Sequence, residues 1–166
     1  MLLHVPNVLT KDQVSEIRKI IDEADWADGS ITAGTQSAKT KNNRQLPEDG
    51  AAAQKARNIV LQALSINAKY LTGALPKKIY PPLFNRYDGS NNSFGNHIDN
   101  SVRTHAATGR HVRTDVSCTL FLSEPKDYEG GELVIEDTYG SQSIKFAAGD
   151  MVLYPSSSVH GVQPVT

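Results

Sequence analysis

The feature that most constrains the fold is a change of hydrophobic pattern near Gly73. Before it, apolar residues recur at the three- and four-residue spacing that is typical of amphipathic helices. After it, short apolar or alternating runs are separated by clusters of Gly, Pro, Asp and Asn, which is the texture of strands and turns. Helices followed by strands predict an α+β layout, with the helices packed on one face of a β-sandwich or barrel.

Two helices are predicted in the first half of the chain. Thr10 and Gln13 have the spacing of a capping box, and an apolar stripe follows them to residue 24. A second apolar stripe spans 51–71, with Gly73 as a plausible stop. The polar stretch 30–49 between the helices is predicted to be a loop, with a short strand as an alternative for part of it.

The second half predicts seven or eight antiparallel strands in two facing sheets, with the helices on the outer face of one sheet. Pro81-Pro82 should interrupt the first of these strands or place it at a sheet edge, because proline cannot donate a ladder hydrogen bond. The predicted strands cover residues 79–87, 94–99, 114–123, 132–136, 141–146, 150–154 and 161–165.

Composition narrows the functional classes. The chain has 166 residues, and its 17 Lys and Arg against 18 Asp and Glu give a formal net charge of -1. This balance argues against binding nucleic acid through bulk electrostatics. No apolar run approaches the ~18 residues that a membrane span needs, and the N-terminus lacks a signal-peptide pattern. Cys118 is the only cysteine, so a disulfide framework is excluded. We therefore expect a cytoplasmic protein without nucleic-acid or membrane partners.

Three residues form the candidate chemical site. On a strand, residues two apart point to the same face, so His97 and Asp99 should present an imidazole and a carboxylate side by side. Such a pair alone is weak evidence, because solvated His-x-Asp pairs occur by chance. His160, just after a predicted strand, completes two histidines and one carboxylate, the donor set of a facial Fe(II) triad. Zinc also accepts these ligands, so the residue types leave the metal open.

Six ordered blocks around these residues carry a family resemblance. They are NRY at 85–87, FGNHIDN at 94–100, RTDVSCTLFL at 113–122, YEGGEL at 128–133, GDMVLYPS at 149–156 and HGVQPVT at 160–166. Together they resemble the Fe(II)/2-oxoglutarate dioxygenases of the prolyl 4-hydroxylase type, and most of all the bacterial PKHD-type hydroxylases linked to iron uptake. In the first half, DG at 28–29, AGTQ at 33–36 and KNNRQL at 41–46 resemble the leader of that subgroup.

The resemblance implies a fold and a set of roles. It implies a double-stranded β-helix, or jelly roll, of the cupin-like kind, with two N-terminal helices packed on one sheet. His97, Asp99 and His160 match the family's iron ligands, and Tyr87 matches a tyrosine that hydrogen-bonds the cosubstrate. A half-buried structural tyrosine is the alternative for Tyr87. No catalytic residue beyond the metal ligands is implied.

The activity implied is that of an Fe(II)- and 2-oxoglutarate-dependent hydroxylase that releases succinate and CO2. Its partners would be 2-oxoglutarate as cosubstrate, O2, and a peptidyl or small-molecule substrate, with ascorbate as a further candidate cofactor. The alternative is a non-catalytic cupin-like domain that uses the same triad to hold a metal or small ligand. A zinc hydrolase would need a general base near the metal, and we find no convincing candidate.

One departure from the family concerns the 2-oxoglutarate C5 carboxylate. The family anchors it with an Arg or Lys about ten residues after the distal histidine, because a buried dicarboxylate requires a charged partner. The sequence ends at Thr166, six residues after His160, and Arg113 aligns outside that role. We therefore expect a single domain over 1–166, with a helical part at 1–75 and a jelly-roll core at 76–166 that is incomplete at its C-terminus, and the anchor beyond Thr166.

Overall fold

The computed structural model describes residues 2–32, 39–105 and 108–166, so the AGTQ block at 33–36 lies outside the described residues. The helices are α1 Lys11–Asp22, α2 Ala51–Ile66 and α3 Ala68–Ala74. The strands are β1 Leu3–Val5, β2 Ala27–Asp28, β3 Lys41–Asn42, β4 Arg44–Gln45, β5 Asn85–Arg86, β6 Ser93–His97, β7 Val102–Thr104, β8 His111–Arg113, β9 Val116–Leu120, β10 Leu133–Asp137, β11 Gly140–Ile144, β12 Met151–Pro155 and β13 His160–Val162.

Two antiparallel sheets form the body of the molecule. One has the strand order β11-β10-β13-β6-β3 and the other the order β1-β12-β9. Both orders join strands that are distant in sequence, so the chain crosses repeatedly between the sheets as it does in a jelly roll. The predicted double-stranded β-helix is therefore confirmed. Smaller sheets, β2-β4-β5 and β7-β8, lie beside this body.

Strand β12 shows how the layers are packed, because its residues alternate between two cores. Met151 and Leu153 belong to the core that holds the buried faces of the helices. Val152 and Tyr154 belong to a second core, which the five-stranded sheet completes through β10 and β11. The order of layers is therefore helices, three-stranded sheet, five-stranded sheet, as predicted.

The first helix follows the prediction closely. Thr10 accepts a hydrogen bond from the Gln13 backbone while the Gln13 side chain accepts one from the Thr10 backbone, which completes the capping box. Ile17 and Ile21 bury the apolar stripe of α1. Among the described residues, no helix is long and apolar enough to cross a membrane.

The single helix predicted over 51–71 is wrong, because it is broken at Asn67. The Asn67 side chain accepts a hydrogen bond from the Tyr70 backbone and so caps a separate helix, α3. Gly73 does not stop this helix, which ends at Ala74 and is followed by Leu75 as a C-cap in the left-handed conformation (φ 44°). A Cβ at Gly73 would stand 2.5 Å from Leu3 Cδ2, so the glycine lets α3 approach β1 closely.

The polar segments contain more strand than predicted. The loop predicted over 30–49 contributes β3 and β4, and strands β7 and β8 pair in the polar segment that follows Asn100. Conversely, the strand predicted over 79–87 is reduced to Asn85–Arg86, consistent with interruption by Pro81-Pro82. The short strands β3 and β4 are stabilised by pairing with strands far away in sequence. Their own residues therefore do not show the alternating apolar pattern that predicts a strand.

Candidate metal centre

Two histidines meet across neighbouring strands of the larger sheet. His97 ends β6 and His160 begins β13, and the two residues lie directly opposite each other, with ring centroids 4.3 Å apart. A β-bulge follows, between His160 and Val162. A Cβ at Gly161 would lie 2.8 Å from the Phe94 carbonyl oxygen, so only glycine allows the bulged strand to approach β6 this closely.

Asp99 reaches the same point from the residues just after β6. It is two residues beyond His97, and its backbone N donates a hydrogen bond to the Ser156 carbonyl oxygen at 3.0 Å. Asp99 Oδ1 lies 3.9 Å from His97 Nε2 and 3.7 Å from His160 Nε2. One ligand atom from each of the three side chains thus lies within 4.8 Å of the others.

The two imidazoles are oriented by backbone carbonyls. His97 Nδ1 lies 2.8 Å from the Gly95 carbonyl oxygen and His160 Nδ1 lies 2.9 Å from that of Ser158. In both rings the Nδ1–H tautomer therefore donates to the backbone, and the Nε2 lone pair is left facing Asp99. Burial lowers the pKa of His97, which favours the neutral imidazole that a metal ligand must be.

Two serines that sequence reasoning missed hold the carboxylate. Ser117 Oγ donates a hydrogen bond to Asp99 Oδ2 and lies 2.8 Å from Ser156 Oγ. This contact occupies one carboxylate oxygen and leaves Oδ1 directed between the histidines. The sequence did contain a signal for this contact. Ser117 and Thr119 are polar residues two apart on an otherwise apolar strand, so they share one face, and that face was a candidate for polar contacts.

Aromatic rings enclose the histidines, and the site opens at the carboxylate. Phe94 stacks on His97 with centroids 3.6 Å apart, and Tyr154 meets His160 edge-on at 4.9 Å. The exposed fractions of the side chains are 8% for His97, 5% for His160 and 27% for Asp99. Ligands therefore approach from the Asp99 side.

The donor set fits a single metal ion. Ligands about 2.0–2.2 Å from a common ion can be no more than about 4.4 Å apart, and both separations measured from Asp99 Oδ1 meet this limit. Two imidazole nitrogens and one carboxylate oxygen are the donors of a facial Fe(II) triad. The three residues can thus hold iron(II) while other coordination positions stay free for small molecules.

Tyr87 is the residue predicted to contact the cosubstrate, and it directly follows β5. Burial raises the pKa of Tyr87 to about 12, so the phenol is protonated at neutral pH and can donate a hydrogen bond. Its contact with a cosubstrate stays a prediction.

Two further histidines and Arg113 lie apart from the triad. His105 and His111 belong to the β7–β8 region, and the ring of each is hydrogen-bonded to a threonine hydroxyl. The Arg113 side chain is 81% exposed and pairs with Asp115 at 2.8 Å. Arg113 is therefore directed into solvent and is not placed to bind a buried carboxylate.

Comparisons with known proteins agree with this geometry. Residues 82–166 match the family model of the 2OG-Fe(II) oxygenase superfamily. A PKHD-type hydroxylase of Saccharophagus degradans is 61% identical over 166 residues, which are 100% of this chain and 73% of the relative.

Solved structures show the same fold. A Pseudomonas putida prolyl-4-hydroxylase superposes with a TM-score of 0.65 at 19% identity, covering 98% of this chain and 85% of its own. A prolyl hydroxylase from Trichoplax adhaerens, solved with a hypoxia inducible factor peptide fragment, superposes with a TM-score of 0.67 at 14% identity. This match covers 99% of this chain and 77% of the Trichoplax chain. The chain therefore belongs to the 2OG-Fe(II) oxygenase superfamily, among the PKHD-type hydroxylases, and is an Fe(II)- and 2-oxoglutarate-dependent oxygenase.

Proposed function

We propose that His97, Asp99 and His160 hold the iron with which this enzyme hydroxylates a peptidyl residue. The observation that carries the assignment is the convergence of one ligand atom from each side chain within 4.8 Å. Iron(II), when bound, would activate O2. This activation couples the oxidative decarboxylation of 2-oxoglutarate, which yields succinate and CO2, to hydroxylation of the substrate.

The protein's own contribution is positioning. The backbone acceptors on both Nδ1 atoms hold the imidazoles, and Ser117 holds the carboxylate, so the ligands are ordered before a metal arrives. Phe94 and Tyr154 cover the rings and keep water from the buried side. The opening beside Asp99 is the route by which cosubstrate and substrate enter.

Tyr87 is proposed to donate a hydrogen bond to a carboxylate of 2-oxoglutarate. Two observations support this role: the NRY block at 85–87 resembles that of the family, and burial raises the pKa of the phenol to about 12, which keeps it protonated. Ascorbate is proposed as a supporting reductant that maintains iron(II) over many turnovers, which a comparison of turnover numbers with and without ascorbate tests.

The peptide substrate is proposed from the structural neighbour that was solved with a peptide fragment. That likeness concerns the fold, so the peptide remains a proposal about the substrate.

The test measures succinate formed from 2-oxoglutarate by the purified protein with and without Fe(II). His160→Ala should abolish the iron-dependent succinate, because it removes a buried ligand, whereas His111→Ala, a change of an exposed histidine outside the triad, should leave it intact. Equal activity of His160→Ala and the wild type would refute the ligand assignment. Iron binding by the wild type without succinate formation would instead indicate a metal-binding domain without this activity.

A further inference from the structure

Strand β7 has an edge that the fold leaves open. Among the described residues it pairs with β8 alone, and we call these two antiparallel strands the β7–β8 ribbon. At the base of the ribbon the Thr114 backbone N donates a hydrogen bond to the Ser101 carbonyl oxygen at 2.9 Å. Hydrogen-bonded pairs alternate along an antiparallel ladder with pairs whose N–H and C=O groups point away from the partner strand. Val102 and Thr104 therefore direct their backbone groups away from β8.

The other edge of the ribbon and one of its faces are held by the segment around Tyr80. By the same alternation, His111 of β8 directs its backbone groups away from β7, and Lys78 Nζ donates to the His111 carbonyl oxygen at 3.3 Å. On one face of β7, the guanidinium carbon of Arg103 lies 4.6 Å from the centroid of the Tyr80 ring, and the His105 ring lies 6.2 Å from it. The ribbon is therefore fixed from one side, and the edge of β7 is the one that a further strand can reach.

This open edge begins close to the metal centre. Val102 is three residues after Asp99, so their Cα atoms are at most about 11 Å apart. Asp99 is the candidate ligand at which the site opens, and its side chain is 27% exposed. Val102 is 55% exposed and Thr104 is exposed as well. A segment that paired with β7 would therefore run past the opening of the metal centre.

The surface around the ribbon is basic. Residues 101–115 contain three arginines and a single carboxylate, that of Asp115, although the whole chain has a net charge of -1. Asp115 pairs with Arg113 at 2.8 Å. Arg110 is exposed and makes no ion pair with any other described residue, and Lys78 adds a further cation at the edge of β8. Such a surface complements a negatively charged ligand.

We propose that the edge of β7 binds an extended, acidic segment of the peptide substrate, which joins the β7–β8 ribbon as a third strand. This inference rests on the proposed hydroxylase function and names its substrate class. Backbone hydrogen bonds to Val102 and Thr104 would fix the register of the segment. A residue of the segment that lies directly opposite Arg103 would be favoured as an acid, because opposite charges on neighbouring strands attract. A nucleic acid lacks the alternating N–H and C=O groups that match a strand edge, so the geometry favours a peptide.

The test measures how two mixtures of short peptides bind to the protein loaded with Ni(II) and 2-oxoglutarate, so that no turnover occurs. The first mixture has aspartate at alternate positions, and the second has asparagine there. Val102→Pro removes the outward N–H without removing a bond of the β7–β8 ladder, and Val102→Ala, which keeps that N–H, is its control. The double variant Arg103→Gln/Arg110→Gln removes two cations of the ribbon, with Arg18→Gln on α1 as its control. Amide hydrogen exchange at residues 102 and 104 is followed with and without peptide.

We expect the wild type and both controls to bind the aspartate mixture about three- to tenfold more tightly than the asparagine mixture. The amides of Val102 and Thr104 should exchange more slowly when peptide is bound. Val102→Pro should weaken the binding of both mixtures by about threefold or more, and the double variant should lose the preference for aspartate. If Val102→Pro does not fold, the exchange measurement on the wild type decides.

Equal binding of both mixtures by the wild type, no binding of either, or unchanged exchange at residues 102 and 104 overturns the proposal. Tighter binding of a single-stranded DNA oligonucleotide than of either mixture also overturns it, by assigning the surface to nucleic acid. Iron-dependent succinate release without peptide is measured separately on the wild type. Its absence would refute the proposed function, whereas the exchange data report on the edge of β7 alone.

Discussion

The hydrogen bond from Ser117 to Asp99 offers the sharpest test of how the metal centre is preorganised. Ser117→Ala leaves every candidate ligand in place and removes the donor on Asp99 Oδ2, together with the contact between Ser117 Oγ and Ser156 Oγ. A hydrogen bond to a charged group contributes about 1.5–3 kcal/mol, or roughly 10- to 150-fold in affinity. Because the Asp99 side chain is 27% exposed, water replaces part of this contact, and we expect Fe(II) binding to weaken by about 10- to 30-fold.

The assay is an anaerobic Fe(II) titration of the wild type, Ser117→Ala and Ser141→Ala. Ser141 is an exposed strand residue on β11, at the far edge of the larger sheet, so its substitution makes the same chemical change away from the site. Ser141→Ala should bind iron like the wild type. If Ser117→Ala also binds iron like the wild type, the serine does not order the carboxylate, and the argument from outer-shell contacts fails.

Further outcomes follow from the same geometry. Asp99→Asn should weaken Fe(II) binding by at least about 10–100-fold in the same titration, because an amide cannot replace the carboxylate charge; unchanged affinity would exclude Asp99 as a ligand. Tyr87→Phe should raise the KM for 2-oxoglutarate about tenfold while iron affinity stays constant, and an unchanged KM would make Tyr87 structural. Gly161→Ala should lower the unfolding free energy by about 1–3 kcal/mol in chemical denaturation, because its Cβ would meet the Phe94 carbonyl at 2.8 Å; wild-type stability would refute the close-approach argument.

The part of the site that could be predicted from the sequence is the part that local geometry determines. The two-residue period of a strand placed His97 and Asp99 on one face, and the structure has this arrangement even though β6 ends at His97. His160 lies 63 residues after His97, and the period of a single strand cannot predict that β13 pairs with β6. Its position was predictable only because six blocks of sequence resemble a known family.

Features that depend on long-range pairing or on single side chains were less predictable. Nothing in the residues 41–42 themselves signals that β3 pairs with β6, since the strand is two residues long and polar. Two signals compete at Asn67. The apolar period favours a continuous helix, but the Asn67 side chain caps the backbone of the next helix, and this local hydrogen bond prevails. The Ser117 contact depends on how β9 faces Asp99, which follows only from the packing of the two sheets.

Strand β6 connects the metal centre with the polar strand β3, because it has a different neighbour on each side. It pairs with β13, which supplies His160, and with β3, which supplies Lys41. Neighbouring strands are about 4.8 Å apart, so β3 and β13 stand about 10 Å apart across β6. This spacing is set by the hydrogen-bond ladder, not by a mobile loop. The backbone of Lys41 is therefore held at a nearly constant distance from that of His160, with β6 between them.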